Sequence, residues 1–195
     1  MQPVAHLRSS YYRPGMALEH AILVSLAERA ASGYDLARRF DASIGHFWKA
    51  SHQQIYKVLG RMEADAWVVS ELVPQDGRPD KKVYVITAAG RDELARWAST
   101  TTPPEHLRSE FAVKLRALPF GDAAAIVDDV RQRRRHHEAQ LAYYRDSAAR
   151  FYPDPASLPT DELGGWLVLR GGILGEETGI AWCDEILQRL GGTER

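Results

Sequence analysis

The amino-acid sequence predicts a mainly α-helical protein that carries one small β-hairpin. Three observations predict it. Apolar residues recur every three to four positions through residues 17–62, and again from about residue 107 to 190. Between these blocks, residues 67–73 (Trp-Val-Val-Ser-Glu-Leu-Val) switch to β-branched and aromatic chemistry, and a second such run follows at 81–86. Proline, glycine and threonine cluster at residues 75–80, 100–104 and 153–159, where the chain must turn.

A first helix is predicted over residues 17–31, with Leu18, Ile22 and Leu26 at four-residue spacing and Ala21 beside them. Ser32 is placed to cap a second helix, with Asp35 three residues on, Leu36, Phe40 and Ile44 on one face, and Gly45 to close it. Ser51 and Gln54 form a full capping box for a third helix, whose apolar stripe is Ile55, Val58, Leu59 and Met62. The strand at 67–73 is predicted to stop at Pro74. Asp76-Gly77 and Arg78-Pro79 make the turn, and the second strand puts Lys82, Tyr84 and Ile86 on one side. Thr87 can cap a fourth helix marked by Gly90, Leu94 and Trp97.

Beyond residue 104 the pattern is entirely helical. Leu107, Phe111, Leu115 and Leu118 lead to a break at Pro119 and Gly121. A long helix is then predicted over 122–151, with Ile126, Val130, Leu141, Tyr144 and Ala148 inward and a very polar stretch at 131–138, in which the Arg131–Arg135 cluster reads as a solvent-facing surface, a site for an anionic effector or acidic partner being the alternative. After the proline-rich bend, Thr160 is placed to cap a final helix running to about Leu190. Two helices of about thirty residues cannot bury their apolar faces on a small domain without covering each other or a second chain, which predicts a homodimer through the C-terminal helices. Gly171, Gly175 and Gly179 align at four-residue spacing and predict close packing, between subunits, at this surface. The organisation is thus an N-terminal arm (1–16), a three-helix-plus-hairpin unit (17–99) and a helical region (105–191).

Composition excludes several classes. The 195 residues are 45% hydrophobic and 26% charged, as in globular proteins. No apolar run approaches the ~20 residues of a membrane span, and none follows Met1, so a cytoplasmic location is expected. The single cysteine, Cys183, can build neither an intrachain disulfide nor a cysteine-rich metal site. Net charge is −1, from 25 basic and 26 acidic residues, so a basic field of the whole molecule is absent. Locally, however, residues 46–61 carry Lys49, Lys57 and Arg61 with two histidines and no acid.

Enzymatic readings find no support. Asp128-Asp129 and Glu176-Glu177 are adjacent pairs whose side chains diverge by ~100° on a helix, so they read as solvated. His136-His137 diverge likewise, beside the repelling run Arg133-Arg134-Arg135, so no metal is expected. There is no glycine-rich phosphate loop and no nucleophile elbow. No catalytic residue and no cofactor are expected.

Three helices followed by a β-hairpin is the layout of a winged helix-turn-helix, in which the third helix enters the major groove and the wing lies along the backbone. With Ile55 facing the core, a 100° projection puts Gln53, Tyr56, Lys57 and Gly60 outward, with Gln54 and Arg61 at the flanks. Glutamine can pair with adenine, lysine can reach guanine or a phosphate, and Ser51 at the helix N-terminus can contact a phosphate. Arg78, Lys81 and Lys82 on the hairpin suit backbone contact. The competing interpretation of this segment is an ordinary solvated face.

Several segments resemble the PadR-like transcriptional regulators, in the branch with a long C-terminal helical region. They are Leu18-Glu19-His20-Ala21-Ile22-Leu23, Ser32-Gly33-Tyr34-Asp35-Leu36, Phe47-Trp48-Lys49-Ala50-Ser51 with Gln54-Ile55-Tyr56 and Leu59, and above all the run from Gly77 to Trp97. The resemblance implies a homodimeric repressor binding double-stranded operator DNA, with Tyr56 and its neighbours on the third helix touching DNA and the 78–82 wing gripping the backbone. His52-Gln53 stands where family members often have a small residue and a Pro or Gly, which puts the target sequence in question. Ala64-Asp65-Ala66 replaces a turn that usually ends in glycine. The resemblance also implies a small aromatic or hydrophobic effector, for which Trp97, Phe111, Tyr144 and Trp166 are the available aromatics, core packing being their alternative role. A winged-helix protein-interaction module, with C-terminal helices recruiting a partner, is the competing function.

Overall fold

A computed structural model describes residues 16–42, 50–75, 78–102 and 109–191. Nearly all of the expected N-terminal arm, the 43–49 stretch with Ile44, Gly45 and Lys49, and Leu107 lie outside these residues. The chain divides into two compact units, residues 1–104 and 105–195.

In the first unit, helix α1 (Met16–Glu28) ends earlier than its apolar spacing predicts, because Ala31–Ser32 leave the helix to form a short strand, β1. Arg39 of helix α2 (Gly33–Ala42) donates to the carbonyls of Ser25, Arg29 and Ala30 where α1 ends, and the Ser25 carbonyl also accepts from the Arg29 amide at 3.3 Å. Ser32 caps α2 as expected, its hydroxyl accepting from the Asp35 amide at 3.2 Å and donating to the Asp35 carboxylate at 2.9 Å. Helix α3 (His52–Ala64) opens on the predicted capping box and buries Ile55, Val58, Leu59 and Met62. These pack with Ile22, Leu23, Leu26, Leu36 and Phe40 into one core.

The strands β2 (Val68–Gln75) and β3 (Arg78–Ile86) pair antiparallel, with Val68 opposite Ile86 and Leu72 opposite Lys82. The strand does not stop at Pro74. It continues to Gln75 through a register shift between Val73 and Gln75, where proline has no N–H to give the ladder. A third strand, which the sequence pattern did not announce, completes the sheet: β1 pairs with β3, Ala31 opposite Tyr84, in the order β1-β3-β2. Helix α4 (Ala88–Ala98) is capped by Thr87, whose Oγ1 accepts from the Gly90 amide and donates to the carbonyl of Ala66.

Buried His20 joins α1 to α4. Its Nε2 lies 3.0 Å from Glu93 Oε1, and its ring stacks on Trp97 at 4.5 Å between centroids. Arg96 forks onto the same carboxylate at 2.8 and 2.6 Å. Hydrogen bonds from Arg96, and secondarily from His20, hold the Glu93 carboxyl below the usual range against the opposing effect of its burial.

In the second unit, helix α5 (Glu110–Arg116) inserts Phe111 between the long helices α6 (Ala123–Phe151) and α7 (Thr160–Arg189), against Val127, Val130, Cys183 and Leu187. The long pair runs antiparallel: Arg134 bonds Asp184, His137 bonds Glu176, and Tyr144 and Tyr152 lie over Gly172 and Gly165. Part of the 131–138 stretch therefore faces the neighbouring helices rather than water, with Arg133 stacked 4.1 Å over the Phe111 ring. Glu176 and Glu177 are likewise paired, to His137 and Arg145, and not simply solvated. Thr160 does not cap α7. It is the helix's first residue, and the cap position is Pro159, with Asp161 and Glu162 placing acid near the N-terminal dipole. The glycine stripe also divides: a Cβ on Gly179 would meet the His137 ring at 2.8 Å within the same chain, whereas Gly171 and Gly175 have open space beside them.

Candidate nucleic-acid interface

The outward face of α3 is built by its cap and its core stripe together. The Gln54 amide donates to Ser51 Oγ at 3.3 Å, and the Ser51 amide donates to Gln54 Oε1 at 2.8 Å, so both candidate contacts are engaged in fixing the start of the helix. With Ile55, Val58 and Leu59 buried, Gln53, Tyr56 and Lys57 are held outward and exposed. Tyr56 is 50% exposed, and its ring lies over the backbone of Gly33, where a Cβ would stand 2.3 Å from a ring carbon. Glycine at this one position lets the tyrosine lie flat across the first turn of α2. Gly60 has nothing within 4 Å of a would-be Cβ, which leaves that stretch of backbone open to approach.

Beside this face stands Tyr34, 57% exposed and edge-on to the His52 ring at 6.4 Å. Tyr34 was not among the candidate contacts. The signal that could have found it was an aromatic residue in the first turn of a helix whose apolar stripe, Leu36 and Phe40, points elsewhere.

The other candidate cations have partners. Arg61 Nη2 lies 2.8 Å from Glu19 Oε1, Lys81 Nζ 2.7 Å from Asp35 Oδ2, and Lys82 Nζ 3.0 Å from Glu63 Oε2. The Asp35 carboxyl is held below the usual range chiefly by Lys81, and that of Glu63 chiefly by the Ser70 hydroxyl and then Lys82. Arg78 begins β3, opposite Gln75.

Each of the four candidate effector aromatics packs against neighbours within its own unit. Trp97 stacks on His20, Phe111 packs edge-on to Trp182, Tyr144 is buried with Leu141 and Ile173, and Trp166 leans on Tyr152. Within the second unit Phe111 and Tyr144 thus belong to separate apolar clusters. An open groove of about 800 Å³ beside α5 and α6 is lined by charged residues including Lys114, Asp129 and Arg135, and by none of the four. Among the described residues, no group of three or more His, Cys, Asp or Glu could hold a metal ion, and no helix is long and apolar enough to cross a membrane.

Comparison with known proteins gives this arrangement its family. Residues 22–96 match the transcriptional regulator PadR-like family, and residues 107–191 match the virulence activator alpha C-terminal family. A probable transcriptional regulator of Mycobacterium tuberculosis, Rv1176c, is 48% identical over 185 residues, covering 90% of this chain and 98% of the relative. The chain belongs to the PadR-like family of transcriptional regulators. The negative transcriptional regulator PadR of Bacillus subtilis is 30% identical over 179 residues, 89% of this chain and 97% of its own. Two solved structures of that PadR superpose on this PadR-like chain. The complex with operator DNA gives a TM-score of 0.81 at 27% identity, covering 89% of this chain and 99% of that one. The complex with p-coumaric acid gives 0.76 at 26%, covering 89% and 98%. The Vibrio cholerae virulence activator AphA gives 0.74 at 35% identity, again covering 89% and 98%.

Proposed function

We propose that this PadR-like regulator is a homodimeric repressor that reads a roughly palindromic operator, placing α3 in the major groove and the β2–β3 wing along the backbone. The observation that carries the proposal is the exposed Gln53-Tyr56-Lys57 face of a helix locked at its start by a capping box and along its back by the core. Gln53 and Lys57 read base edges, while Ser51, His52, Gln54, Tyr56, Arg61, Arg78, Lys81 and Lys82 contact or position the backbone. Two such helices, one per protomer, would enter successive grooves ~34–36 Å apart. The reading places the protein in the cytoplasm with the chromosome, without a catalytic role.

The homodimer is supported by α7, which is apolar on two opposite sides. Ile173, Cys183 and Leu187 face the rest of the unit, whereas Leu167 (58% exposed) and Leu174 (47%) project with Leu163 and Gly171 from the other side. At 100° per residue these four fall within about 80° of arc, a second apolar stripe that a partner's helix would cover. A small aromatic or hydrophobic effector is proposed to modulate DNA affinity, as suits a relative solved with p-coumaric acid. Trp97, Phe111, Tyr144 and Trp166 remain its candidate contacts. Such a ligand relieves repression only by favouring the arrangement that binds DNA less well.

The test is a fluorescence-anisotropy titration against DNA from upstream of the protein's own gene, with unrelated DNA in parallel. Binding at least ~10³-fold tighter to an operator supports the reading. Lys57→Ala should weaken that binding without changing the dimer in sedimentation. Equal, weak binding to every fragment of a genome-wide selection would overturn it.

A further inference from the structure

We propose that Asp35 and Glu63 compete with DNA phosphates for the wing lysines, so that the wing is electrostatically self-inhibited in the free protein. The proposal rests on the DNA-binding reading above and adds a device that weakens phosphate contact. Lys81 and Lys82 follow each other on β3 and point to opposite faces of the sheet, yet each meets a carboxylate supplied by the helix-turn-helix. Lys81 meets Asp35 in the first turn of α2, and Lys82 meets Glu63 in the last turn of α3.

Neither contact reads as a chance meeting of surface side chains. Each carboxylate is aimed by a serine: the Ser32 hydroxyl donates to Asp35 Oδ2, and the Ser70 hydroxyl donates to Glu63 Oε1. The direction of the titration shifts agrees, since both carboxyls are held below their usual range and Lys82 is pushed up chiefly by Glu63. Arg61 also meets a carboxylate, that of Glu19, so of the four candidate cations with described side chains only Lys57 faces outward without a carboxylate among the described residues. Both wing lysines remain partly open to solvent, and exposed pairs of this kind are weak enough to open.

The electrostatic consequence is direct. Counterions leave DNA when a cation neutralises a phosphate, and each such contact adds about 0.9 to the slope of log affinity against log salt. A lysine already neutralised by a carboxylate adds less, because the phosphate must first displace that carboxylate. Removing the carboxylate charge while keeping the side-chain shape should therefore restore up to one full phosphate contact per lysine. Extrapolated over one decade of salt, a slope of 0.9 amounts to about eightfold in affinity.

The experiment uses the full chain and a labelled random-sequence duplex, titrated by anisotropy from about 50 to 200 mM salt. Asp35→Asn and Glu63→Gln preserve groups that can hydrogen-bond Ser32 and Ser70, and thermal unfolding of each variant checks the fold. The expected result is a several-fold gain in affinity, at most about eightfold near 0.1 M salt, with a steeper salt slope. Asp35→Asn combined with Lys81→Met separates local competition from a change in net charge, because the gain should vanish when its lysine is gone. Glu63→Gln with Lys82→Met repeats the test at the other pair should Asp35→Asn unfold α2. No gain in folded variants, or a gain that survives loss of the lysine, overturns the competition. If the wild type binds its upstream DNA while the variants fail in this way, only the competition falls. If the wild type binds no duplex at any salt, the DNA-binding reading falls and the competition with it.

Discussion

Gly90 and Trp67 meet backbone to backbone: a β-carbon on Gly90 would stand 2.2 Å from the Trp67 carbonyl oxygen and 2.9 Å from Ile86. The same carbonyl accepts from the Thr87 amide at 3.0 Å and shares the Thr87 hydroxyl, 3.1 Å away, with the Ala66 carbonyl, so it cannot give way without disturbing the corner that launches α4. Gly90→Ala should therefore destabilise the first unit by about 1–3 kcal/mol from overpacking, even though alanine gains about 1 kcal/mol in helix propensity. Urea denaturation followed by circular dichroism reads the difference. An unchanged midpoint would show that α4 can slide away from β2 at no cost.

One residue before Trp67, Ala66 adopts φ 57°, the left-handed region in which an L side chain crowds the backbone. Left-handed backbone costs a non-glycine residue roughly 1–2 kcal/mol, and glycine would return part of that relief through its greater freedom when unfolded. Ala66→Gly is thus expected to stabilise by about 0.5–1 kcal/mol and raise the melting temperature. A loss of stability would mean that the Ala66 methyl makes contacts worth more than the strain.

Much of this was legible in the sequence because it is local. The Ser51–Gln54 capping box and the buried stripe of α3 lie within a few residues of one another, so spacing alone fixes which side chains of α3 face outward. What spacing does not carry is pairing across the chain. A two-residue strand, Ala31–Ser32, has no periodicity to detect and exists through its partners Tyr84 and Val83 on β3. The same holds for the carboxylates: Asp35 is legible as a helix cap, but its hold on Lys81 depends on the wing folding back over α2. The glycine stripe of α7 divides for the converse reason. Four-residue spacing shows that Gly171, Gly175 and Gly179 share a side, but not that antiparallel α6 already places His137 against one of them.

The His20–Glu93–Arg96 cluster gives the first unit an acid-sensitive link. Because Arg96 and then His20 hold the Glu93 carboxyl below its usual range, folding stabilises the ionised form. Its contribution is fully present above the ordinary glutamate pKa of about 4.3 and is lost as pH falls through the lowered folded value. Glu93→Gln should therefore be less stable than the wild type at neutral pH, with the gap closing below about pH 4. Urea midpoints measured across pH 3 to 7 check the sign. A gap that stays constant with pH would remove Glu93 from the acid response.

Gly33 offers a way to disturb the DNA face without touching a charge. Adding a methyl there places a carbon 2.3 Å from the Tyr56 ring, but that ring is half exposed and can swing outward rather than strain the core. Gly33 is also the first residue of α2, where alanine is well tolerated once Ser32 has capped the helix. Gly33→Ala should accordingly leave thermal stability within about 1 kcal/mol of the wild type, as for most changes that a flexible neighbour can absorb. Operator affinity, by contrast, should fall severalfold, because Tyr56 leaves the position it holds beside Gln53 and Lys57. Tyr56→Ala supplies the reference: if Tyr56 acts through this placement, Gly33→Ala should reproduce most of the loss seen with Tyr56→Ala, and the double variant should be no weaker than Tyr56→Ala alone. Independent, additive losses would show instead that Gly33 meets the DNA backbone directly.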